Sequence, residues 1–318
     1  MDRYPGLLVK NLCFSINNKK ILENINFSIN YGEILAVIGG KASGKSTLVN
    51  ILNHFPGYSG YHGEVMIDGK PVSMGDKKPV SHPVSTITKK HTLVPNLTVA
   101  ENIFLERQFT STLGSIDWHR LFNETAKLFE NFDIDYLSPR ERVENLNELG
   151  RYVVEILREL SRADNKVVIF EEVTDNVNFD EAKEIYRIMK CLRELNYCIL
   201  YISYKAKEVR ELADKITVLY KGKSAGKTVE ARRITYDEIV NLMVGKLEDK
   251  MIRDEFTDRF NITGREKEII HMIVEGYSNK EIGEKLFISL GTVKNHIYKI
   301  YQKTNVKNRI ELSNLVNL

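Results

Sequence analysis

The chain has 318 residues, with 46 Lys and Arg against 43 Asp and Glu, for a formal net charge of +3. A hydrophobic share of 42% beside 28% charged residues is that of soluble globular protein, so a disordered or fibrous chain is excluded and burial suffices for real cores. The length exceeds one small domain and suits one of about 250 residues followed by one of about 65.

The N-terminal "MDRYPGLLVKN" has no apolar signal core, and no run approaches membrane-spanning length. Cys13, Cys191 and Cys198 are too few and too irregularly spaced for a disulfide framework or a zinc site, and read as reduced structural thiols. The expectation is a cytoplasmic protein.

In chain order, the first strong element is "EILAVIG" (Glu33 to Gly39), a near-continuous apolar run suited to a parallel strand buried on both faces. It leads into "IGGKASGKST", where Gly39-x-x-x-x-Gly44-Lys45-Ser46 matches the phosphate-binding P-loop between a strand and the helical "STLVNILNHF". Such a loop turns backbone N–H groups toward phosphate oxygens at a helix N-terminus. Gly39, Gly40, Lys41, Ala42, Ser43, Gly44, Lys45, Ser46 and Thr47 are therefore the expected nucleotide-binding residues. Lys45 would neutralise β/γ-phosphate charge, and the Ser46 hydroxyl would join the shell of a Mg²⁺ ion carried with ATP.

"SGYHGEVMIDGKPV" contains Asp-Gly, a hairpin signal. "VVIFEEV" (Val167 to Val173), "CILYIS" (Cys198 to Ser203) and "KITVLYKG" (Lys215 to Gly222) read as further buried strands, with the helical "AKEIYRIMKCLREL" giving a βαβ unit. Glu171 and Glu172 could be a solvated acidic pair, but their place after a buried strand favours contact with Mg²⁺ or water. "RRITYDEIVNLMVGKLEDK" closes this domain, 1–250, with a helix, and 251–260 reads as a charged linker. From 261 to 318 the pattern is purely helical. Thr263-x-x-Glu266, Ser278-x-x-Glu281 and Asn308-x-x-Glu311 read as capping boxes or close relatives, and Ser289 as a further N-cap. Val293, Ile297 and Ile300 make one inward face, leaving Lys294, Asn295, Tyr298, Lys299 and Lys303 outside. The histidines form no metal-ligand spacing, and Trp118 in "SIDWHR" reads as core of a helical layer.

Residues 6–250 resemble an ATP-binding-cassette (ABC) ATPase, most like the first cassette of sugar-importer ATPases. "LLVKNLCFSINNKKILENINFSINYGEILAVIGGKASGKSTLVNIL", "HGEVMIDGKPV", "LVPNLTVAENIFLER" and "LMVGKLEDK" carry the likeness in the family's order. The resemblance implies an α/β P-loop NTPase, with a mixed sheet and a helical subdomain, that binds ATP and Mg²⁺. It places the Mg²⁺ contacts at Ser46 and Glu171 and the catalytic glutamate at Glu172. It also marks departures. The adenine-stacking aromatic falls at Ile16, with Phe14 two residues away on the same strand face. The Q-loop glutamine falls at Lys89, and the signature loop becomes "LNELG" (Leu146 to Gly150). The switch histidine is Tyr204. Losing one transition-state donor can cost about 3 kcal/mol, so several losses imply slow or absent hydrolysis.

"TGRE", "EGYSNKEIGEKLFIS" and "TVKNHIYKIYQKTNVKNR" closely resemble the LuxR-type helix-turn-helix, a small all-α domain that binds double-stranded DNA as a dimer. The resemblance makes Thr292 a DNA-binding residue, puts Lys294, Asn295 and Tyr298 at the bases, and makes Lys299, Lys303 and Lys307 candidates for phosphate contact. Its fourth helix, "RIELSNLVNL", resembles the dimerising helix. Together the two likenesses imply an ATP-binding, DNA-binding transcription regulator acting as a homodimer. The alternative is an ATP-binding subunit of a sugar importer that docks on its permease and carries a regulatory tail.

Overall fold

In the computed structural model, the residues described are 4–55, 57–58, 60–71, 84–107, 109–110, 115–162, 166–245, 259–274, 277–286 and 288–316. They divide into two compact units, Met1–Val244 and Gly245–Leu318. Of the linker read at 251–260, residues through 258 lie outside the described set, as do Ser59 and Val72 at the ends of the quoted hairpin.

Strands β1 (Leu7–Ile16) and β2 (Lys19–Ile29) form an antiparallel hairpin turned by Asn17 and Asn18, at φ 49° and 62°. Both turn positions need positive φ, which asparagine tolerates better than other side chains. Strands β4 (His62–Ile67) and β5 (Lys70–Pro71) close on Asp68 and Gly69, at φ 51° and 71°, the same turn chemistry read from Asp-Gly. These strands make a four-stranded sheet ordered β2-β1-β4-β5.

The second sheet holds β3 (Glu33–Gly39), β6 (Ser85–Thr88), β7 (Val167–Glu171), β8 (Cys198–Ser203), β9 (Lys215–Tyr220), β10 (Lys223–Ser224) and β11 (Val229–Glu230). Its order is β10-β9-β3-β8-β7-β6, with β11 also on β9; β9, β3, β8, β7 and β6 run parallel, and β10 and β11 are antiparallel to β9. All seven residues of β3 are buried, as a strand covered on both faces requires. The register pairs Ile38 with Ser203, Ile202 with Glu171, and Glu171 with Thr88. The carboxyl ends of β3, β8, β7 and β6 therefore align, and the residues just beyond them converge on one rim, the usual ligand edge of such a sheet.

Helix α1 (Lys45–Leu52) leaves that rim directly from β3. A helical layer follows, with α2 (Val99–Ile103), α3 (Trp118–Asn131) and α4 (Glu148–Arg162). Trp118 is 45% exposed and stacks on Phe122 at 5.9 Å, so it is not the core residue expected from sequence. An N-terminal position on an amphipathic helix carries its ring past the buried stripe of Leu121, Thr125 and Phe129. Helices α5 (Phe179–Glu194), α6 (Ala206–Leu212) and α7 (Tyr236–Met243) complete the unit, with capping boxes at Asn178/Glu181 and Thr235/Glu238.

Among the described residues, the regular elements of the second unit are helices: α8 (Gly264–Val274), α9 (Asn279–Leu286), α10 (Leu290–Thr304) and α11 (Arg309–Val316). Ile269, Ile270, Ile273, Ile282, Val293, Ile297, Ile300 and Leu312 form its core. Thr263 and Ser278 exchange hydrogen bonds with Glu266 and Glu281, and Ser289 caps α10 through the Thr292 N–H at 3.1 Å.

Gly222 ties the phosphate loop to the hairpin sheet. Its N–H donates to the Ser43 carbonyl at 3.1 Å, and its own carbonyl accepts from the Glu23 N–H at 2.8 Å. At φ 81°, an added Cβ would lie 2.2 Å from the Ile21 carbonyl oxygen. Gly222→Ala is expected to destabilise the first unit by about 1–3 kcal/mol and weaken nucleotide binding with it, read by denaturant unfolding and calorimetry. Unchanged stability would show that this junction relaxes freely.

Candidate nucleotide site and nucleic-acid interface

The phosphate loop turns on Gly44, at φ 102°, and on Ala42, at φ 59°, so that α1 begins with its free N–H groups at the rim. The Lys45 side chain is buried, and its Nζ donates to the carbonyls of Gly39 at 2.7 Å and Gly40 at 3.0 Å. Burial lowers its pKa, and the carboxylates of Glu172, Glu171 and Asp175 act against that shift. The buried Ser43 Oγ has no hydrogen-bond partner. An unmatched hydroxyl inside a loop of outward N–H groups fits a phosphate-bearing ligand, since buried polar groups are otherwise satisfied. Gly40, Lys41 and Ala42 lie on the turn and Ser46 and Thr47 in the first turn of α1, with Lys41, Ala42 and Ser46 exposed.

Two carboxylates stand at the carboxyl end of β7, Glu171 as its last residue and Glu172 just beyond. Burial raises the pKa of Glu171, opposed by a hydrogen bond from the Ser46 hydroxyl and reinforced by the neighbouring Glu172. Glu172 sits in the left-handed region at φ 52°, a conformation that costs a non-glycine residue about 1–2 kcal/mol and recurs at functional sites. Ser46 and Glu171 are oxygen donors of the kind Mg²⁺ takes together with nucleotide phosphates. Among the described residues, no group of three His, Cys, Asp or Glu side chains could hold a metal without such help.

Lys89 enters from the end of β6. Its ammonium lies 2.7 Å from the Glu172 carboxylate and 3.9 Å from that of Asp175. The hydrogen bond it donates to Glu172 raises the Lys89 pKa, and the lysine is half exposed, so water screens the weight of the pair in stability. Tyr204, just beyond β8, is hydrogen-bonded to Asp175, which pushes its phenol upward. The residues standing where the resemblance expects a glutamine and a histidine thus address the acidic rim themselves.

Phe14 is buried against Tyr58 at 5.5 Å between ring centroids, whereas Ile16 is 41% exposed. Phe14 belongs to the hydrophobic core, while Ile16, two residues on, ends the strand and is exposed, so Phe14 offers no free ring at that position. In the loop "LNELG", Asn147 caps α4, its side-chain oxygen accepting from the Gly150 N–H at 2.9 Å, and Leu149 is half-buried.

Sequence reasoning missed His91. Its ring bridges Glu155, 2.8 Å from Nδ1, and Glu148, 3.2 Å from Nε2 but off the hydrogen-bond direction. Burial alone would lower the His91 pKa; the Glu155 hydrogen bond and the charges of Glu155 and Glu148 outweigh it and raise it. Partners so distant in sequence leave no local spacing to read.

In the second unit, Thr292, Lys294, Asn295, Tyr298 and Lys299 are all exposed on α10, and Lys307 is exposed beyond it. Lys303 is not part of that free face. Its ammonium donates to the buried Glu266 carboxylate at 2.7 Å and to the Asn261 carbonyl at 2.8 Å, so a phosphate would compete with these partners for it. Burial would raise Glu266, but Lys303 and Thr263 hold it below the usual carboxylate range. Arg309 is likewise used internally, on the carbonyls of Ile273 and Tyr277. His296 keeps a buried Nδ1 without a partner.

The P-loop at the carboxyl ends of a parallel sheet, beside a separate four-stranded sheet and a helical layer, defines a nucleotide-binding cassette joined to a helix-turn-helix unit. The chain belongs to the ABC transporter family, whose profile matches residues 22–190, and residues 261–316 match bacterial regulatory proteins of the luxR family. It is 34% identical over 255 residues to a xylose import ATP-binding protein of Thermoanaerobacter pseudethanolicus, covering 80% of this chain and 48% of that protein. A ribose import ATP-binding protein of Caldanaerobacter subterraneus subsp. tengcongensis is 31% identical over 243 residues, covering 76% and 48%. The chain thus spans about half the length of these relatives. The fold matches an ATP-binding cassette of an ABC transporter in its ADP conformation, at TM-score 0.62 and 20% identity over 78% of this chain and 98% of the other. It also matches cbiO1 of Clostridium perfringens, at TM-score 0.62 and 19% identity over 78% and 98%. Among the described residues, no helix is long and apolar enough to cross a membrane.

His91 makes stability pH-dependent with a definite sign. Its raised folded pKa contributes stability that is present below the ordinary histidine value of about 6.5 and is lost as pH rises through the folded value. The gap in unfolding midpoint between wild type and His91→Gln should be widest at acid pH and shrink toward alkaline pH; a pH-independent gap would mean that the ring is neutral. Lys303→Ala should destabilise the helical unit by about 1–3 kcal/mol, by exposing the first turn of α8 to amide exchange. It should leave the slope of log DNA affinity against log salt unchanged, whereas loss of about one unit would return Lys303 to the DNA.

Proposed function

We propose that this chain is a transcription regulator whose cassette holds ATP as an effector and hydrolyses it slowly or not at all. The observation that carries the reading is the Lys89 ammonium on Glu172 at 2.7 Å. A catalytic glutamate must orient water against the terminal phosphate, and an ion pair occupies the carboxylate that would do so. Gly39 to Thr47 would hold the triphosphate, Lys45 would balance its charge, and Ser46 and Glu171 would serve Mg²⁺. When bound, Mg²⁺ supplies charge compensation between the outer phosphates.

The second unit supplies DNA recognition. Thr292, Lys294, Asn295 and Tyr298 would read base edges, and Lys299 and Lys307 would neutralise phosphates. Cassettes of this family pair around nucleotide and luxR-type readers pair on DNA, so one homodimerisation step would serve both. ATP then acts by favouring one assembly state. Domain limits of 1–250 and 261–318, joined by 251–260, accompany this reading.

A second reading follows from the names of the relatives, which import xylose and ribose: a cassette that docks on a sugar permease. "LVPNLTVAENIFLER" favours it, being held as a unit by the buried Asn102, whose side chain bonds both the N–H and the carbonyl of Val94. Copurification with a membrane permease would support it.

Calorimetry should show ATP binding that Lys45→Ala abolishes. Phosphate release should stay more than a hundredfold below the ordinary enzymatic rate of about 10 per second. Turnover at about 1 per second or faster, lost in Glu172→Gln, would overturn the regulator's low hydrolysis. Asn295→Ala should reduce discrimination against a wrong base by about 1–3 kcal/mol on a selected site, and an unchanged specificity ratio would displace the assigned helix face.

A further inference from the structure

Among the described residues of the second unit, the large apolar side chains left exposed are Leu290 and Tyr298, at 45% and 63%. A single exposed apolar residue is ordinary and needs no explanation. These two share one helix and one stripe. Leu290, Lys294, Tyr298 and Gln302 follow one another at i, i+4 spacing along α10, and all are exposed. Val293, Ile297 and Ile300 already anchor the inward side of α10 in the core, so folding gains nothing from apolar residues on the outward one. The polar groups beside them are free. Lys303 and Arg309 spend their charge on Glu266 and on backbone carbonyls, whereas the side chains of Lys294 and Asn295 have no partner among the described residues. The stripe thus presents an apolar group, a set of free hydrogen-bonding groups, and a second apolar group.

We infer that Leu290 and Tyr298 read the 5-methyl groups of two thymines, which flank the bases addressed by Lys294 and Asn295 in the preferred half-site. This rests on the DNA-reading assignment of α10 and names the chemistry recognised there. In the major groove the thymine methyl is matched by apolar contact, where the other base-edge groups are matched by hydrogen bonds. Lys294 suits the O6 and N7 acceptors of guanine, and Asn295 suits the N6 donor and N7 acceptor of adenine. Helical rise sets Leu290 and Tyr298 about 12 Å apart along the axis of α10. Successive bases of one strand lie about 3.4 Å apart, so with α10 along the groove the two methyl groups stand about three to four base steps apart. That interval leaves room for the two purines between them.

The test selects a preferred DNA site for the full chain and then replaces each of its thymines in turn by deoxyuridine, which removes the methyl group alone. Wild type should lose about threefold to fivefold in affinity at no fewer than two thymines of each half-site, the worth of one buried methyl. Tyr298→Ala should abolish the loss at one of those positions and Leu290→Ala at another. Tyr298→Phe, which keeps the ring, should retain both losses. A half-site with fewer than two such thymines would overturn the inference, as would the full set of losses persisting in either alanine variant. The wild-type uracil series decides alone if a variant fails to fold. A wild type that selects no preferred site would instead overturn base reading by α10 itself, an outcome distinct from a selected site whose methyl groups carry no weight.

Discussion

Hydrolysis in a P-loop cassette needs one carboxylate free to hold a water in line with the terminal phosphate, and the proposed loss of turnover rests on the Lys89 ammonium that donates to Glu172 at 2.7 Å. The sheet exists, in effect, to bring these groups together. Parallel registry aligns the ends of β6, β7, β8 and β3, so residues beyond four strands meet on one rim although their sequence separations reach beyond one hundred and fifty residues. Lys89, Glu172, Tyr204 and the phosphate loop each follow one of those strand ends. A departure at any of them therefore alters the same charge balance, and the departures here act in concert.

The segment that delivers Lys89 also fastens the helical layer. Two residues on, His91 spans Glu148 and Glu155 of α4, and the Thr92 N–H donates to Glu155 at 2.6 Å. Arg158 lies 3.6 Å from the same carboxylate, which is buried. Residues 89–92 are thus held at one end by the acidic rim and at the other by the first half of α4, which Asn147 caps. Buried charges arranged this way are costly to separate, so nucleotide contacts that move Lys89 would act on the start of α4. This is a physical link between the rim and the loop that takes the place of the signature sequence.

Much of this was legible in the residues. The apolar runs of β3 and β8 fixed buried parallel strands, Asp68-Gly69 fixed a hairpin, and Thr263/Glu266 and Ser278/Glu281 fixed helix starts, because each is a local rule with a local cause. The hairpin at Asn17-Asn18 carried the same kind of signal and was passed over. What sequence could not give was pairing at a distance. Lys303 lies on the exposed side of α10 by periodicity, yet its ammonium reaches Glu266, 37 residues away. Lys89 could be seen as a departure from a glutamine, but its choice of Glu172 emerges only from sheet registry.

The central claim is that intact ATP, bound and not consumed, sets the affinity of this chain for DNA. The most direct measurement is anisotropy titration of the full chain onto a selected DNA site with ATP, with ADP and with no nucleotide, followed by analysis of the recovered nucleotide. The account predicts that ATP shifts affinity by about fivefold or more relative to both other conditions, the lower bound of ordinary allosteric coupling, and is recovered as ATP. Equal affinity in all three conditions, or conversion of the ATP to ADP during the titration at about 1 per second, would contradict it.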